Sequence, residues 1–501
     1  MSSPIEKTAT NPEKSSDNEV EVAQTKSEAA LGGHVNPDDF GFSEAEQKAI
    51  IRRIDIRLVL TVGAMYCVSL MDRTNLGAAN IAGMAVELRL QGYQYSIISL
   101  LFFVTYIAFQ PPSTVIVRAI GPRIHLAAIT FAWGCCMIGM GFSGNWQVMA
   151  GLRVVLGVLE AGEFAPLPSC VYLLSTWYTR YDVGVRNSVF YMVGCVAAAF
   201  AGILAYGIMH MRGLGGLGGW RWIFIIEGLI TVVIGIAGYW LLVDFPDSKR
   251  ATWNFLGQRE RDWICARVQA DRGDVKAPPF SLKAYLSVGK DWKVWAYALL
   301  FFNTTTTTYA LAYFLPIILN QNLGFDVGTS QCLVAPPYVL AGIVMYGTSW
   351  IGDKYRIRGP IVAFNMLLVL IGLPIMGFHA NNAVRYFGVF LVTAGANSNV
   401  PAMMSYQANN IRGQWKRAFC SATFVSFGGI GGIAGSLVFR EEDRPQYKAG
   451  LYACITTSLA NLIIVTLLSI TFYSENRKAD RGEKELEADE EDFQPGFRYT
   501  Y

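Results

Sequence analysis

The sequence predicts an all-α membrane protein whose twelve transmembrane helices form two six-helix bundles, and three observations carry that prediction. Of 501 residues, 52% are hydrophobic and only 16% charged, too apolar a balance for an ordinary soluble domain. Apolar windows of roughly 20 residues, the length that crosses a bilayer, recur twelve times along the chain. One long polar stretch, 244–290, divides them six and six.

Taken in order, residues 1–49 are rich in Ser, Glu, Asn and Lys and hold no apolar run. They read as a disordered cytosolic tail without the apolar segment of a signal peptide. Arg52, Arg53 and Arg57 stand directly before the first span, on the side that the positive-inside rule assigns to the cytoplasm. The first bundle (50–243) has spans at 58–81, 94–117, 124–143, 147–174, 187–209 and 220–243. The second (291–475) has them at 293–319, 329–351, 360–378, 383–405, 417–438 and 448–473. Loops expected to face inward carry Arg118, Arg123, Arg180, Arg186, Lys354, Arg356, Arg358, Arg412, Lys416 and Arg417. Outward loops are poorer in Lys and Arg; Arg440, Arg444 and Lys448 are offset in part by Glu441, Glu442 and Asp443. The linker 244–290 is charged and contains the breaker Pro278-Pro279, and the tail 476–501, acidic over 483–492, is expected in the cytoplasm with the other terminus.

Charges inside spans need a reason, because each costs about 2.5–3.5 kcal/mol at a membrane-helix centre. The first span holds Asp72 and Arg73, and Arg73 shares a helical face with Gly77 and Asn80. A guanidinium fork matches a carboxylate with two parallel hydrogen bonds, so Arg73 is a candidate ligand for an organic anion. Neutralisation by Asp72 in a packing role is the competing reading. The fourth span holds Arg153, Glu160 and Glu163, with Arg153 and Glu160 seven residues apart on nearly one face. A carboxyl in low dielectric can bind and release a proton near neutral pH, and a neighbouring Arg opposes that. Glu160, Asp72 and Glu163 are therefore candidates for proton coupling, while an Arg153–Glu160 pair that only fixes packing stays open. Glu227 is expected to pair structurally near Arg221. Asn303, the threonine run 304–308, Tyr309 and Tyr313 on the seventh span, with Asn397 and Asn399 on the tenth, could complete a cavity. Tyr309 and Tyr313, one turn apart, would form an aromatic wall for a flat ring.

Nine cysteines without a CxxC spacing, and four scattered histidines, imply neither a disulfide framework nor a metal site. The glycine run 213–219 mimics a dinucleotide loop but follows no strand, so it reads as a connector. Neither catalysis nor ATP-driven pumping is expected, nor a cofactor or nucleic-acid partner.

The segments MDRTNLGAANIAG (Met71–Gly83), RVVLGVLEAGEFAPLPSCVYLLSTWY (Arg153–Tyr178), GWRWIFIIEG (Gly219–Gly228), APPY (Ala335–Tyr338) and YQANNIRGQWKRAF (Tyr406–Phe419) resemble the major facilitator superfamily. Within it they are most similar to the fungal allantoate-permease branch of the anion:cation symporters, which includes nicotinate, pantothenate and biotin permeases. The resemblance implies that Glu160 occupies the acidic position of the fourth span and that Arg73 stands where related symporters place a substrate arginine. It also implies a charge clamp in Gly352–Arg358, with Asp353, Lys354 and Arg358 as gating residues; Arg153 is grouped with them as a gating charge. The first bundle keeps Arg118, Gly121, Pro122 and Arg123 of that motif but lacks its acidic member.

Accumulating a monovalent anion against −100 mV costs about 2.3 kcal/mol, so import calls for at least one co-transported proton. The expectation is a monomeric, proton-coupled importer of a small organic anion at the plasma membrane, with the two bundles rocking about a central site. Export of an acidic metabolite or drug-like compound is the alternative, and a nutrient-sensing receptor the second.

Overall fold

The computed structural model describes residues 37–164, 173, 176–246, 255–272, 286–411, 414–443, 447–483, 485–486 and 497–501. Most of the N-terminal tail, Cys170, the end of the expected fourth span, and Pro278-Pro279 lie outside the described residues. Among those described, twelve α-helices of 19 residues or more follow one another. In the first half these are α1 (Leu60–Ala79), α2 (Gln94–Ile120), α3 (Pro122–Gly141), α4 (Trp146–Phe164), α5 (Arg180–Met209) and α6 (Gly219–Leu241). The second half contains α7 (Trp292–Ile317), α8 (Ala335–Tyr355), α9 (Gly359–Phe378), α10 (Asn382–Asn410), α11 (Gln414–Val438) and α12 (Lys448–Asp480). No strand occurs among the described residues.

Eight of the described helices are long and apolar enough on their own to cross a bilayer. The helices missing from that set include α4, α7 and α10, which carry Arg153 and Glu160, the threonine run, and Asn397 and Asn399.

The same pairs form in each half: α1 with α5 and α6, as α7 with α11 and α12; α2 with α4, as α8 with α10; α3 with α6, as α9 with α12. Glycines set how closely several of these pairs approach. At the α3–α6 seam, a Cβ on Gly134 would lie 2.8 Å from Val232 N and one on Gly228 would lie 2.8 Å from Ile138 N. The helices therefore touch backbone to backbone, the small-residue packing of membrane bundles. Gly372 and Gly388 do the same between α9 and α10.

Between the halves, α2 meets α11, α5 meets α8, and α1 meets α7. The side carrying the start of α1 and the end of α12 is termed here the tail side, and the opposite one the far side. At the far side the halves are sealed. A Cβ on Gly77 would stand 2.6 Å from Tyr313 O, and one on Gly202 would stand 2.3 Å from Gln331 O. Tyr95 donates its hydroxyl to Tyr313 O at 3.1 Å, and Gln331 donates to Ala78 O at 3.3 Å.

The α3–α6 seam yields a stability prediction. Gly134→Leu should destabilise the protein by about 1–3 kcal/mol through overpacking, read as a lower thermal midpoint in lipid nanodiscs. Gly151→Ala, with open space around its position, should leave that midpoint unchanged or higher.

Candidate functional site

On the tail side of the far-side seal, a cavity of about 180 Å³ lies between the halves. Its polar wall comes from Arg73, Tyr106, Thr305, Thr308, Tyr309 and Asn397, and its apolar wall from Phe103, Tyr338, Met345 and Met404. Pockets for drug-sized ligands span roughly 300–1,000 Å³, so this space suits a smaller molecule.

Among the described residues, Arg73 is the one cationic side chain that lines the cavity. Its Nε and Nη2 donate to Glu160 Oε1 at 2.7 and 2.5 Å, and its Nη1 donates to the Tyr309 hydroxyl at 2.8 Å. Ser69 donates to the same Glu160 oxygen at 2.5 Å. The rings of Tyr106 and Phe102 lie 5.3 and 5.5 Å from the guanidinium carbon, within cation–π range. Glu160 is fully buried, and its Oε2 has no hydrogen-bond partner among the described residues. One carboxylate oxygen of the chain thus occupies the fork that an organic carboxylate would need.

Asp72, one residue away and about 100° round the helix, faces a different environment. Its oxygens accept from Trp133 Nε1 on α3 and, at 3.4 Å, from Asn75. The competing Asp72–Arg73 and Arg153–Glu160 neutralisations are not made among the described residues; Arg73 and Glu160 pair with each other. Arg153 is completely buried in the far-side half of α4, with no partner for Nε or Nη2 among the described residues. That position is remote from the tail-side turn that holds Asp353, Lys354 and Arg358. Arg221 pairs with Glu87 at 2.8 Å rather than with Glu227, whose two oxygens are buried without a hydrogen bond among the described residues. Hydrogen bonds inside the first half therefore tie α1 to α3 through Trp133 and Asp72, and to α4 through Arg73 and Glu160.

The other sequence candidates divide by depth. Asn397 lines the cavity and donates to Thr393 O at 2.9 Å. Asn80 lies beyond the seal in a small far-side pocket with Tyr95 and Tyr447. Tyr313 is fully buried at the seal; it stacks on Tyr309 at 6.5 Å but does not line the cavity. Asn303 serves packing, donating to Asn461 on α12 at 3.0 Å, and each threonine hydroxyl from 304 to 308 bonds a carbonyl one turn back. Glu163 lies within α4, but its side chain is outside the described set.

At the tail-side turn between α8 and α9, Arg358 pairs with Asp353 at 2.5 Å, while the Lys354 ammonium sits 4.8 Å over Trp350. In the first half, Arg123 N–H donates to Asp244 at 3.4 Å, and Arg186 holds Asp55 at 2.7 Å. Acidic partners for that half thus come from segments outside the 118–123 loop. The sequence did not single out Ser69, Tyr106, Phe102 or Trp133. Ser69 alone had a readable signal, one turn before Arg73 on the same face.

A family model described as Major Facilitator Superfamily matches residues 62–436. The major facilitator-type transporter hxnP of Emericella nidulans is 30% identical over 453 residues, covering 88% of each chain. The high-affinity nicotinic acid transporter of Saccharomyces cerevisiae is 27% identical over 445 residues, covering 88% of this chain and 81% of that one. Among solved structures, an inward-facing bacterial homolog of the human lysosomal transporter Spinster shares the fold with a TM-score of 0.62 at 12% identity, over 86% of this chain and 98% of that one.

Because Arg73 and Glu160 are buried together, removing one partner should be worse than removing both. Glu160→Ala should destabilise by about 3–5 kcal/mol, and the double replacement Arg73→Met with Glu160→Leu should recover most of that loss. Thermal unfolding in nanodiscs compares the two; equal losses would mean that the pair is not coupled.

Proposed function

The chain belongs to the major facilitator superfamily, and from that premise we propose that it imports a small organic anion together with protons by alternating access. The observation that carries this reading is the Glu160 oxygen held on the Arg73 fork beside the cavity. An entering carboxylate competes with Glu160 for the same donors. Protonating Glu160 weakens its hold on Arg73, frees the fork for substrate, and supplies the positive charge that accompanies the anion. Anion and proton bind as one neutral set, which removes the cost of about 2.3 kcal/mol for carrying a single negative charge against −100 mV. A second proton, with Asp72 or Glu163 as the carrier in reserve, makes entry electrogenically favourable.

In this reading Tyr309 and Asn397 orient the ligand. The stacked Tyr309 and Tyr313 rings, with Phe103 edge-on to Tyr309 at 4.8 Å, suit a flat ring such as a pyridine carboxylate. The name of the yeast relative supports that substrate class. Asn80 and Tyr313, on the sealed surfaces, act when the far side opens, and Arg153 helps to hold those surfaces in register. The Asp353–Arg358 pair steadies the α8–α9 turn during the exchange, with Lys354 anchoring it at the bilayer edge. The tail side is the cytoplasmic side, and the membrane is the plasma membrane.

Uptake of labelled organic acids by cells expressing the chain, at acidic and neutral pH with and without a protonophore, tests the proposal. One small carboxylate should enter faster at acidic pH and lose that advantage with protonophore. Arg73→Lys should raise KM roughly tenfold to a hundredfold, the loss of charge-assisted hydrogen bonds worth about 1.5–3 kcal/mol. Glu160→Gln should abolish the pH dependence while leaving substrate exchange across the membrane. Uptake indifferent to pH and protonophore would overturn the coupling, and efflux of loaded compounds without uptake would reverse the direction.

A further inference from the structure

At the tail side of the second half, the segment Phe497–Tyr501 lies in a groove built by α7, α10, α12 and the α8–α9 turn. Two asparagines read its main chain. Asn476 on α12 accepts from Tyr499 N–H at 2.9 Å and donates to Tyr499 O at 2.8 Å. Asn410, at the end of α10, accepts from Thr500 N–H at 2.7 Å and donates to Thr500 O at 2.9 Å, with a further bond to Tyr406 O. A side-chain amide presents one donor and one acceptor side by side. Each asparagine therefore does for the N–H and C=O of one residue what a strand edge does in β-augmentation.

The side chains are read as well. The Tyr499 ring is buried and stacks on Phe472 at 4.5 Å and 17°. Its hydroxyl accepts from Lys293 Nζ at 2.5 Å, and the same ammonium lies 4.3 Å from the ring centroid. Arg498 donates to Asp480 at 2.7 Å, and Tyr501 packs edge-on to Tyr473 at 5.8 Å. Arg358 N–H reaches Tyr501 O at 3.5 Å, so the segment ends beside the Asp353–Arg358 pair.

We propose that this groove is a peptide-binding site for an extended aromatic segment of the Phe-Arg-Tyr-Thr-Tyr type, occupied here by the chain's own Phe497–Tyr501. Occupancy joins the tail-side ends of α7, α10 and α12 and the α8–α9 turn into one body. Backbone recognition by the asparagines supplies register, and the Phe472–Lys293 slot for Tyr499 supplies specificity. The proposal is independent of what the cavity carries.

The test uses the full chain in nanodiscs. In the wild type, hydrogen exchange at Tyr499 and Thr500 should be at least tenfold slower than in the free pentapeptide. Tyr499→Ala alters only the segment, so the bundle keeps its fold. It should abolish that protection and speed exchange in the last turn of α10. The vacated Tyr499→Ala chain should bind a fluorescein-labelled Phe-Arg-Tyr-Thr-Tyr peptide at least tenfold more tightly than the wild type, whose groove is filled. Asn410→Ala with Asn476→Ala, added to Tyr499→Ala, should remove that binding. Unprotected amides in the wild type, or peptide binding that is absent from or equal in the wild type and Tyr499→Ala, would overturn the proposal.

Discussion

Everything in the first half depends on how a fully buried carboxylate and the guanidinium beside it are kept in a medium that penalises charge. Glu160 and Arg73 manage it with each other, with Ser69, and with the Tyr309 hydroxyl supplied by the opposite half. Desolvation of both ions is repaid only when geometry and surrounding hydrogen bonds are good. The aromatic faces of Phe102 and Tyr106 complete the shell. Since one donor of Arg73 crosses to α7, the ion pair belongs to the interface between halves as much as to its own bundle.

The bundle architecture was legible because hydropathy is a property of the chain alone. Twelve apolar windows and one long polar stretch needed no tertiary information. The presence of a site on α1 was equally legible, since an arginine among apolar neighbours has to be answered by something. Its partner was not. Sequence proximity offered Asp72 for Arg73 and helical spacing offered Arg153 for Glu160, yet the structure pairs Arg73 with Glu160 and gives Asp72 to Trp133 and Asn75. Which carboxylate meets which guanidinium is settled by where the long side chains of α1 and α4 reach in the folded bundle, to which local periodicity is blind.

Depth was the second thing that periodicity could not supply. A helical wheel gives the direction of a side chain, not its height. Asn80 shares a face with Arg73, but seven residues at 1.5 Å each carry it about 10 Å along the axis, past the contact of Gly77 with Tyr313. Tyr313 is similarly one turn beyond Tyr309, and that turn separates a cavity wall from a seal. The acidic partners of first-half basic residues were hidden for a related reason: Asp244, which accepts from the Arg123 main chain, and Asp55, which holds Arg186, come from segments distant in sequence that meet only in the folded protein.

The backbone-to-backbone seams have a consequence for how such a protein can diversify. Where glycines such as Gly134 and Gly228 bring two main chains together, no side chain can be exchanged without moving a helix. The cavity wall is the reverse: Thr305, Thr308, Met345, Asn397 and Met404 project from helices whose spacing is fixed elsewhere. Drift is therefore channelled inward. A lineage can rewrite what the wall accepts by single substitutions while its outer seams stay frozen, so relatives of one architecture can part ways in diet long before they part ways in shape.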